Sequence, residues 1–393
     1  MPEPPEPTTP AELPPARERA AIAALALAAF ALNLNTLVLG ALLPFLPAEL
    51  VAPGDDQQLI AVAALCSAAA ALAAGPLADR LGRKALLQGG MAVFVLASAM
   101  HAFAGSYGVL LAARALSGAA VGVAYASASA LAAEIVPYRR RGAAMGAFTA
   151  GMFLALPIGL PLAWWFARSG HWHAIFWLQA GLGAAGLAMA ARCVPAVSTD
   201  GVWGDPRQVL GRLPVLATLL AVMLHVGSFF TVVQLAPLWL DQPQLIPKEH
   251  QGWIWIWLGL GAAVGSFVFG RVSDRIGKRQ FVLLTSVVLV VCFVLLARVE
   301  TFAGLVPVGI ALAIVAPART GPLQALMSGL VPTRLLGTLM GLRACSMQLG
   351  VFLFAQFVRA DGPGGFGAVL YAAAGCQVAS YLAIRIGVRE TAR

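Results

Sequence analysis

Long apolar stretches, separated by short polar ones, follow one another along the whole chain. A helix needs about 20 apolar residues to cross the hydrocarbon core of a bilayer. Twelve stretches approach or exceed that length: residues 20–46, 57–78, 85–104, 107–136, 142–167, 172–191, 213–240, 250–270, 280–297, 302–331, 336–358 and 366–388. The pattern predicts an all-α membrane protein with twelve transmembrane helices.

Two polar stretches divide the chain into units. Residues 1–16 hold seven prolines, three glutamates and no basic residue, so we expect a disordered tail over residues 1–18 and no signal peptide. Residues 192–212 are polar and contain Gly and Pro, which is typical of a hinge. The predicted units are therefore an N-terminal six-helix bundle (19–191), a cytoplasmic linker (192–212) and a C-terminal six-helix bundle (213–393).

Composition and charge narrow the functional class. The chain is 60% hydrophobic with a mean hydropathy of +0.83, too apolar for a soluble domain. If the N-terminus is cytoplasmic, 19 of the 26 Lys and Arg residues lie on the cytoplasmic side and 4 on the other. This bias predicts cytoplasmic termini and explains the net charge of +9 without nucleic acid. No metal-ligand spacing, phosphate loop or nucleophile–base pair is visible, so neither a cofactor nor enzymatic activity is predicted.

A charged ladder occurs twice, as GPLADRLGRK at 75–84 and GRVSDRIGKR at 270–279. The copies share Gly, Asp, Arg and Gly at the same positions and are offset by 195 residues. The pairs Val136-Pro137 and Val331-Pro332 have the same offset. The chain therefore encodes two pseudo-symmetric six-helix halves, an arrangement that places a substrate site between them near the middle of the membrane.

Each ladder is predicted to lie in a short cytoplasmic loop and to act as a latch. By pseudo-symmetry the first should meet span 11 near Gly337, and the second should meet span 5 near Gly142. These contacts would join the halves on the cytoplasmic side and break when that side opens. The alternative is a solvated loop, which explains the basic residues but not the repeated Asp. The ladder residues are Gly75, Asp79, Arg80, Gly82, Arg83, Asp274, Arg275, Gly277 and Lys278.

The first ladder resembles the signature loop of the major facilitator superfamily, and the second is similar to its weaker copy. The resemblance covers all but the tail and implies the major facilitator fold with transport by alternating access. Leu110, Arg114 and Ser117-Gly118 in span 4 are similar to a motif of proton-coupled members, which implies proton coupling for Arg114; a helix-packing role is the alternative. Glu134 matches the acidic residue that pairs with the ladder in this family, and we assign Arg83 or a neighbour as its partner.

Span 5 bears on the direction of transport. Its sequence GMFLALPIGLPLAWWF at 151–166 lacks the G-P-x-x-G-G order of drug:proton antiporters. It is similar to the G-x-P-L-G form of the sugar-efflux and chloramphenicol-efflux branches, which implies export.

Charges inside the predicted spans are basic, because no Asp or Glu lies near the middle of any span. Arg319 is roughly 18 Å from the cytoplasmic end of span 10 at a rise of about 1.5 Å per residue. A charge at that depth normally faces water or a partner, so it is a candidate ligand for an anionic substrate. Its alternative role is to cap carbonyls around Pro317. For Arg343 in span 11, snorkelling or gating is favoured over ligand binding.

His225 near the middle of span 7 could carry a proton in place of the missing carboxylate, or it could be a packing residue. His101, near the outer end of span 3, is expected to be interfacial. The candidate residues of the substrate cavity are Asn33, Asn35, Tyr125, Gln234, Arg319, Gln324 and Arg343.

These patterns lead to three functional hypotheses. The first is a monomeric secondary transporter in the bacterial inner membrane that exports a small amphipathic or anionic compound, driven by protons. The second is a proton-coupled uptake symporter for an organic anion. The third is a membrane sensor without transport, which the two ladders argue against. The expected partners are the lipid bilayer, a small-molecule substrate and protons.

Overall fold

A computed structural model describes residues 14–47, 50–52, 55–136, 141–196, 206–240, 251–331, 335–357 and 365–388. The regular elements in these ranges are all helical. The helices are α1 Pro15–Leu42, α2 Asp56–Leu81, α3 Arg83–Ala102, α4 Tyr107–Glu134, α5 Arg141–Phe153, α6 Leu160–Arg168, α7 His173–Cys193, α8 Pro206–Leu210, α9 Leu213–Leu240, α10 Gln251–Ile276, α11 Lys278–Leu296, α12 Phe302–Ser328, α13 Leu336–Phe357 and α14 Gly365–Gly387.

This helix order confirms the predicted all-α membrane fold. Helices α5 and α6 together form span 5, and the short helix α8 lies in the linker. Eleven helical stretches of the described chain are long and apolar enough to cross a membrane. The eighth predicted span corresponds to α10, a 26-residue helix that is not one of those eleven.

Helix packing repeats between the halves. In the N-terminal half, α1 packs against α5 and α7, α2 against α4, and α3 against α4 and α7. In the C-terminal half, α9 packs against α13 and α14, α10 against α12, and α11 against α12 and α14. The halves meet where α2 packs along α13, where α1 meets α9, and where α10 packs against the segment joining α5 and α6. This symmetry agrees with the internal repeat in the sequence.

The ladders differ from the predicted loops. Helix α2 continues to Leu81 and α10 to Ile276, so most of each ladder is helical. A single glycine then separates each helix from the next: Gly82 has φ 80° and Gly277 has φ 98°. Glycine adopts positive φ without steric cost and therefore ends a helix in one residue. The two equivalent glycines have the same unusual backbone conformation, as the repeat requires.

Two further boundaries differ from the sequence prediction. Helix α1 begins at Pro15, inside the predicted tail, because proline is favoured in the first turn of a helix; residues 1–13 lie outside the described ranges. Span 5 is not one regular helix, since a π-helical turn at Ala155–Gly159 separates α5 from α6. Pro157 and Pro161 each remove a backbone donor there, which explains the interruption.

Candidate functional site

A small cavity lies between the two halves, nearer the starts of α2 and α4 and the ends of α1 and α9 than the middle of these helices. Its wall includes Asn35 of α1, Ala64 of α2 and Arg114 of α4 from one half. Gln234 of α9 and Gln348 of α13 line it from the other. Its volume is about 20 Å³, room for about one water molecule, so the halves are closed around it in this conformation. Three residues predicted from the sequence, Asn35, Arg114 and Gln234, are thus brought together; Gln348 was not predicted.

Arg114 is fixed in the cavity wall by backbone oxygens. Its Nη1 donates to the carbonyl of Asn35 at 3.0 Å and its Nε to the carbonyl of Leu59 at 3.4 Å. The Asn35 side chain in turn donates to Gln179 Oε1 of α7 at 2.9 Å. The Arg114 side chain is 2% exposed and makes no ion pair within the described residues. Its positive charge is therefore held in place without a carboxylate.

A second polar cluster lies closer to the linker. We call the membrane side that carries α8 and the start of α1 the linker face, and the other side the opposite face. Asn33 Nδ2 donates to the carbonyl of Met152 at 2.8 Å, and the Tyr125 hydroxyl donates to Met152 Sδ at 3.0 Å. Arg343 of α13 is close enough to Tyr125 of α4 for an electrostatic interaction. Its Nε is buried without a hydrogen-bond partner in the described chain. This cluster therefore joins both halves and contains a second cation.

Gln324 of α12 contacts α13 within the C-terminal half. Its Nε2 approaches Met340 Sδ at 3.8 Å, a weak contact between α12 and α13. Its side chain is half-buried, so it keeps donor and acceptor capacity for another partner.

Arg319 does not face the interface between the halves. Its Nη1 donates to Gln377 Oε1 at 2.8 Å and its Nη2 to Ser380 Oγ at 2.7 Å, both on α14. Ser380 continues the network by donating to the carbonyl of Ala221 on α9 at 3.0 Å. The guanidinium is fully buried inside the C-terminal bundle. In this conformation the polar partners of Arg319 come from α14, and its predicted contact with substrate stays a prediction.

His225 belongs to the same network. Its Nδ1 lies 3.1 Å from Gln377 Oε1, while Gln377 Nε2 donates to Ser228 Oγ at 2.9 Å. Because the amide oxygen accepts, Nδ1 carries the hydrogen in this arrangement. His225 and Arg319 thus share one acceptor, between α9, α12 and α14.

His101 lies in the last turn of α3 and is buried between helices. Its side chain is 0% exposed, its ring stacks on Phe176 of α7 at 4.7 Å, and its Nδ1 lies 2.7 Å from the carbonyl of Ala97. It is also close enough to Arg114 for an electrostatic interaction. The sequence predicted the position of His101 near the outer end of span 3 but not its burial, which depends on Phe176 of α7.

The basic ends of the ladders bind within their own halves. Arg83 forms an ion pair with Glu134 of α4. Lys84 Nζ donates to the carbonyl of Ala191 in the last turn of α7 at 3.0 Å. Arg279, the equivalent of Lys84, donates to the carbonyls of Val388 and Arg385 at the end of α14 at 2.6 and 2.9 Å. Cations are favoured at helix C-termini, so part of the repeated charge stabilises each bundle separately.

The predicted contacts between the ladders and the other half fall largely outside the described side chains. Those of Asp79, Asp274, Gly142 and Gly337 are among the undescribed ones. At the level of helices, α2 packs along α13, whereas α10 meets mainly the turn that joins α5 and α6.

Glycines allow the halves to approach closely toward the opposite face. A β-carbon on Gly40 of α1 would overlap the backbone carbonyl of Gln234 on α9. A β-carbon on Gly259 of α10 would overlap Pro157 in the π-helical turn. Since Gln234 also lines the cavity, the first of these contacts closes the cavity wall at that side.

Known proteins with similar sequences are transporters. The 3-(3-hydroxy-phenyl)propionate transporter of Escherichia coli (strain K12) is 28% identical over 325 residues, 79% of each chain. A probable 4-methylmuconolactone transporter of Cupriavidus pinatubonensis is 29% identical over 302 residues, 71% of this chain and 68% of the relative. An uncharacterized MFS-type transporter of Mycobacterium tuberculosis (strain ATCC 25618 / H37Rv) is 32% identical over 187 residues, 48% of this chain but about a quarter (26%) of that longer protein.

A sequence profile of the Major Facilitator Superfamily matches residues 25–355, which include the charged ladders, the residues that line the cavity and every long helix except α14, although the first residues of α1 and the last of α13 lie outside the match. The relatives of this chain are named as transporters and not as enzymes. The chain therefore belongs to the major facilitator superfamily of membrane transporters.

Proposed function

We propose that this protein transports a small organic anion by alternating access of the cavity between its halves. The observation that carries the proposal is the pair of interfacial cations, Arg114 in the cavity wall and Arg343 beside Tyr125. Every described Asp and Glu lies in the first or last turn of a helix or outside the helices. A buried cation without a nearby carboxylate favours a negatively charged ligand.

The walls favour an anion with an apolar body. Ile60, Ala64, Val121 and Val351 line the cavity together with Arg114 and the amide side chains. Ligand sites usually combine such apolar walls with a few polar anchors. The relative named as a 3-(3-hydroxy-phenyl)propionate transporter adds support, since that compound is an aromatic carboxylate. We therefore propose small aromatic carboxylates as the substrate class.

Proton coupling and direction complete the proposal. Arg114 and His225 remain the sequence-derived candidates for proton coupling, and the form of span 5 favours export. Uptake with a proton is the second candidate, favoured by the cationic cavity. An organic anion entering against an inside-negative potential needs an accompanying cation.

We place the protein in the bacterial inner membrane as a monomer, with the linker face in the cytoplasm, because that face carries most of the Lys and Arg.

The ladder residues Gly75, Asp79, Arg80, Gly82, Arg83, Glu134, Asp274, Arg275, Gly277 and Lys278 keep their proposed role as a latch on the linker face. The packing of α2 along α13 of the other half supports this role for the first ladder. The ion pair between Arg83 and Glu134 joins that ladder to the end of α4 in the same half.

The proposal is tested with purified protein in liposomes that contain a pH dye. The compounds are 3-phenylpropionate, benzoate, glucose and tetraphenylphosphonium, each applied as an inward or outward gradient. We expect only the carboxylates to move protons. The sign of the internal pH change then distinguishes antiport, in which protons move against the carboxylate, from symport, in which both move in the same direction. Proton movement driven only by glucose or by the cation would contradict the proposal.

A matched control uses the arginines. Arg343→Gln should reduce the response to carboxylates because it removes an interfacial charge. Arg298→Gln should leave it unchanged, because Arg298 is exposed at the opposite face. Arg298 Nε donates a hydrogen bond of 2.5 Å to the Tyr371 hydroxyl, which raises the pKa of Arg298. Neither residue lines the cavity.

A further inference from the structure

The tautomer of His101 follows from its hydrogen bond. Nδ1 lies 2.7 Å from the carbonyl oxygen of Ala97, and a carbonyl oxygen can only accept. Nδ1 therefore carries the hydrogen, and in the neutral ring Nε2 carries the free electron pair. Nε2 is buried and has no hydrogen-bond partner within the described chain. The ring thus presents an unused proton acceptor in the interior of the N-terminal bundle.

Among the described residues, one charge acts on His101. Helix α3 packs against α2, α4 and α7. From α7, the Phe176 ring covers one face of the imidazole. From α4, Arg114 interacts with it electrostatically. The other titratable groups near the same end of these helices have other partners: Asp55, Asp56 and Tyr107 interact with one another, and His173 stacks on Trp172.

Three influences act on a positive charge at this position. Burial is the largest of them, and it disfavours the charge because a buried imidazolium loses its hydration. The last turn of a helix favours a cation, and His101 lies in the last turn of α3. The fixed charge of Arg114 opposes it, because like charges in a weakly polar interior repel strongly. An anion in the cavity next to Arg114 would cancel that repulsion. Anion binding and proton binding would then each favour the other by the same factor.

We propose that His101 Nε2 is a proton-binding site that is coupled, through Arg114, to the anion in the cavity. The proton adds to the electron pair of Nε2 when the anion binds and leaves when the anion leaves. Anion and proton therefore cross the membrane together, which selects uptake with a proton over export against one. The coupling of this proton to the anion rests on the proposed anion transport. The influence of Arg114 on His101 stands independently of any substrate.

The first experiment measures the proton on His101 directly. The full-length protein, labelled with ¹³C and ¹⁵N in histidine, is titrated by NMR in detergent micelles, and His101→Gln identifies the signal. We expect Arg114→Gln to raise the titration midpoint of His101 by about one pH unit or more, a tenfold gain in proton affinity. Arg114→Lys should keep the midpoint near that of the unmodified protein. The same midpoint in Arg114→Gln as in the unmodified protein would overturn the proposal.

Benzoate gives the second readout in the same sample. Saturating benzoate should raise the His101 midpoint in the unmodified protein and have no effect in Arg114→Gln. If Arg114→Gln raises the midpoint but no aromatic carboxylate changes it, the proton site stands and its coupling to this substrate class is wrong.

Liposome flux separates the remaining outcomes and does not depend on the folding of Arg114→Gln. In His101→Gln, the ratio of protons to 3-phenylpropionate moved should fall by about tenfold or more, as expected when the proton acceptor is removed. His173→Gln should leave the ratio unchanged. If His101→Gln keeps the full ratio, His101 is not the coupling site although anion transport stands. If no carboxylate moves at all, the proposed function fails, and the NMR midpoints alone decide the proton site.

Discussion

Gly40 of α1 lies directly against the backbone carbonyl of Gln234 on α9, with no room for a β-carbon between them. The two residues belong to different halves, and the Gln234 side chain lines the cavity. This contact therefore closes the cavity toward the opposite face. It must separate if that face opens during transport.

Gly40→Ala should shift the protein toward conformations that are open at the opposite face. The added methyl group overlaps backbone, which cannot rotate away, so α1 and α9 must move apart. The measurement is the distance between spin labels at exposed Phe103 and Phe302, in a chain whose five native cysteines are replaced. We expect a longer distance population in Gly40→Ala. Gly181→Ala is the control, since its added methyl group meets no other atom; identical distances in all three proteins would contradict this account.

Ala64→Phe should block transport by filling the cavity. Ala64 is buried in the cavity wall, and a phenyl ring needs far more volume than the cavity offers. The measurement is exchange of labelled benzoate in liposomes. Leu72→Phe is the matched control on the same helix, because Leu72 is 46% exposed on the surface of the bundle. Normal exchange by a folded Ala64→Phe protein would show that substrate passes elsewhere.

Gln377→Leu should destabilise the C-terminal bundle. The substitution leaves Arg319 Nη1, His225 Nδ1 and Ser228 without their shared partner. Loss of a hydrogen bond to a buried charge costs about 1.5–3 kcal/mol. Thermal unfolding in detergent should therefore show a lower midpoint.

The double variant Arg319→Leu/Gln377→Leu supplies the control for this network. It should be less destabilised than the sum of the two single variants, because residues in one network are not additive. A fully additive result would mean that the two residues do not act as one unit.

The ion pair between Arg83 and Glu134 should contribute little to stability. Its side chains are 21% and 30% exposed, and exposed pairs are typically worth about 0.2–1 kcal/mol. A double-mutant cycle with Arg83→Gln and Glu134→Gln in thermal unfolding should give a coupling energy in that range, falling with added salt. A larger coupling that is insensitive to salt would show that the pair is more enclosed than its exposure indicates.

Most of the fold follows from the sequence. The offset of 195 residues predicted two equivalent halves, and the structure places Gly82 and Gly277, which obey that offset, in the same positive-φ conformation. The apolar lengths predicted the helices. The ends of α2 and α10 were predicted too early, because charged residues in a last helical turn resemble a loop when only hydropathy is considered.

The direction in which a polar side chain points could not be predicted in the same way. In a membrane both lipid and protein interior are apolar, so periodicity does not separate the faces of a helix. The depth of Arg319 was predictable, but its contact with Gln377 depends on how α12 packs against α14. Likewise, the burial of His101 depends on Phe176, which is 75 residues away in the chain.

In the proposed mechanism, the space between the halves accepts a negative charge. The most direct test compares exchange of 3-phenylpropionate with exchange of its uncharged amide, in liposomes with the unmodified protein and with Arg343→Gln. We predict that the carboxylate exchanges about tenfold faster or more in the unmodified protein, and that Arg343→Gln reduces this preference. Equal exchange of the acid and its amide, unaffected by Arg343→Gln, would contradict the claim.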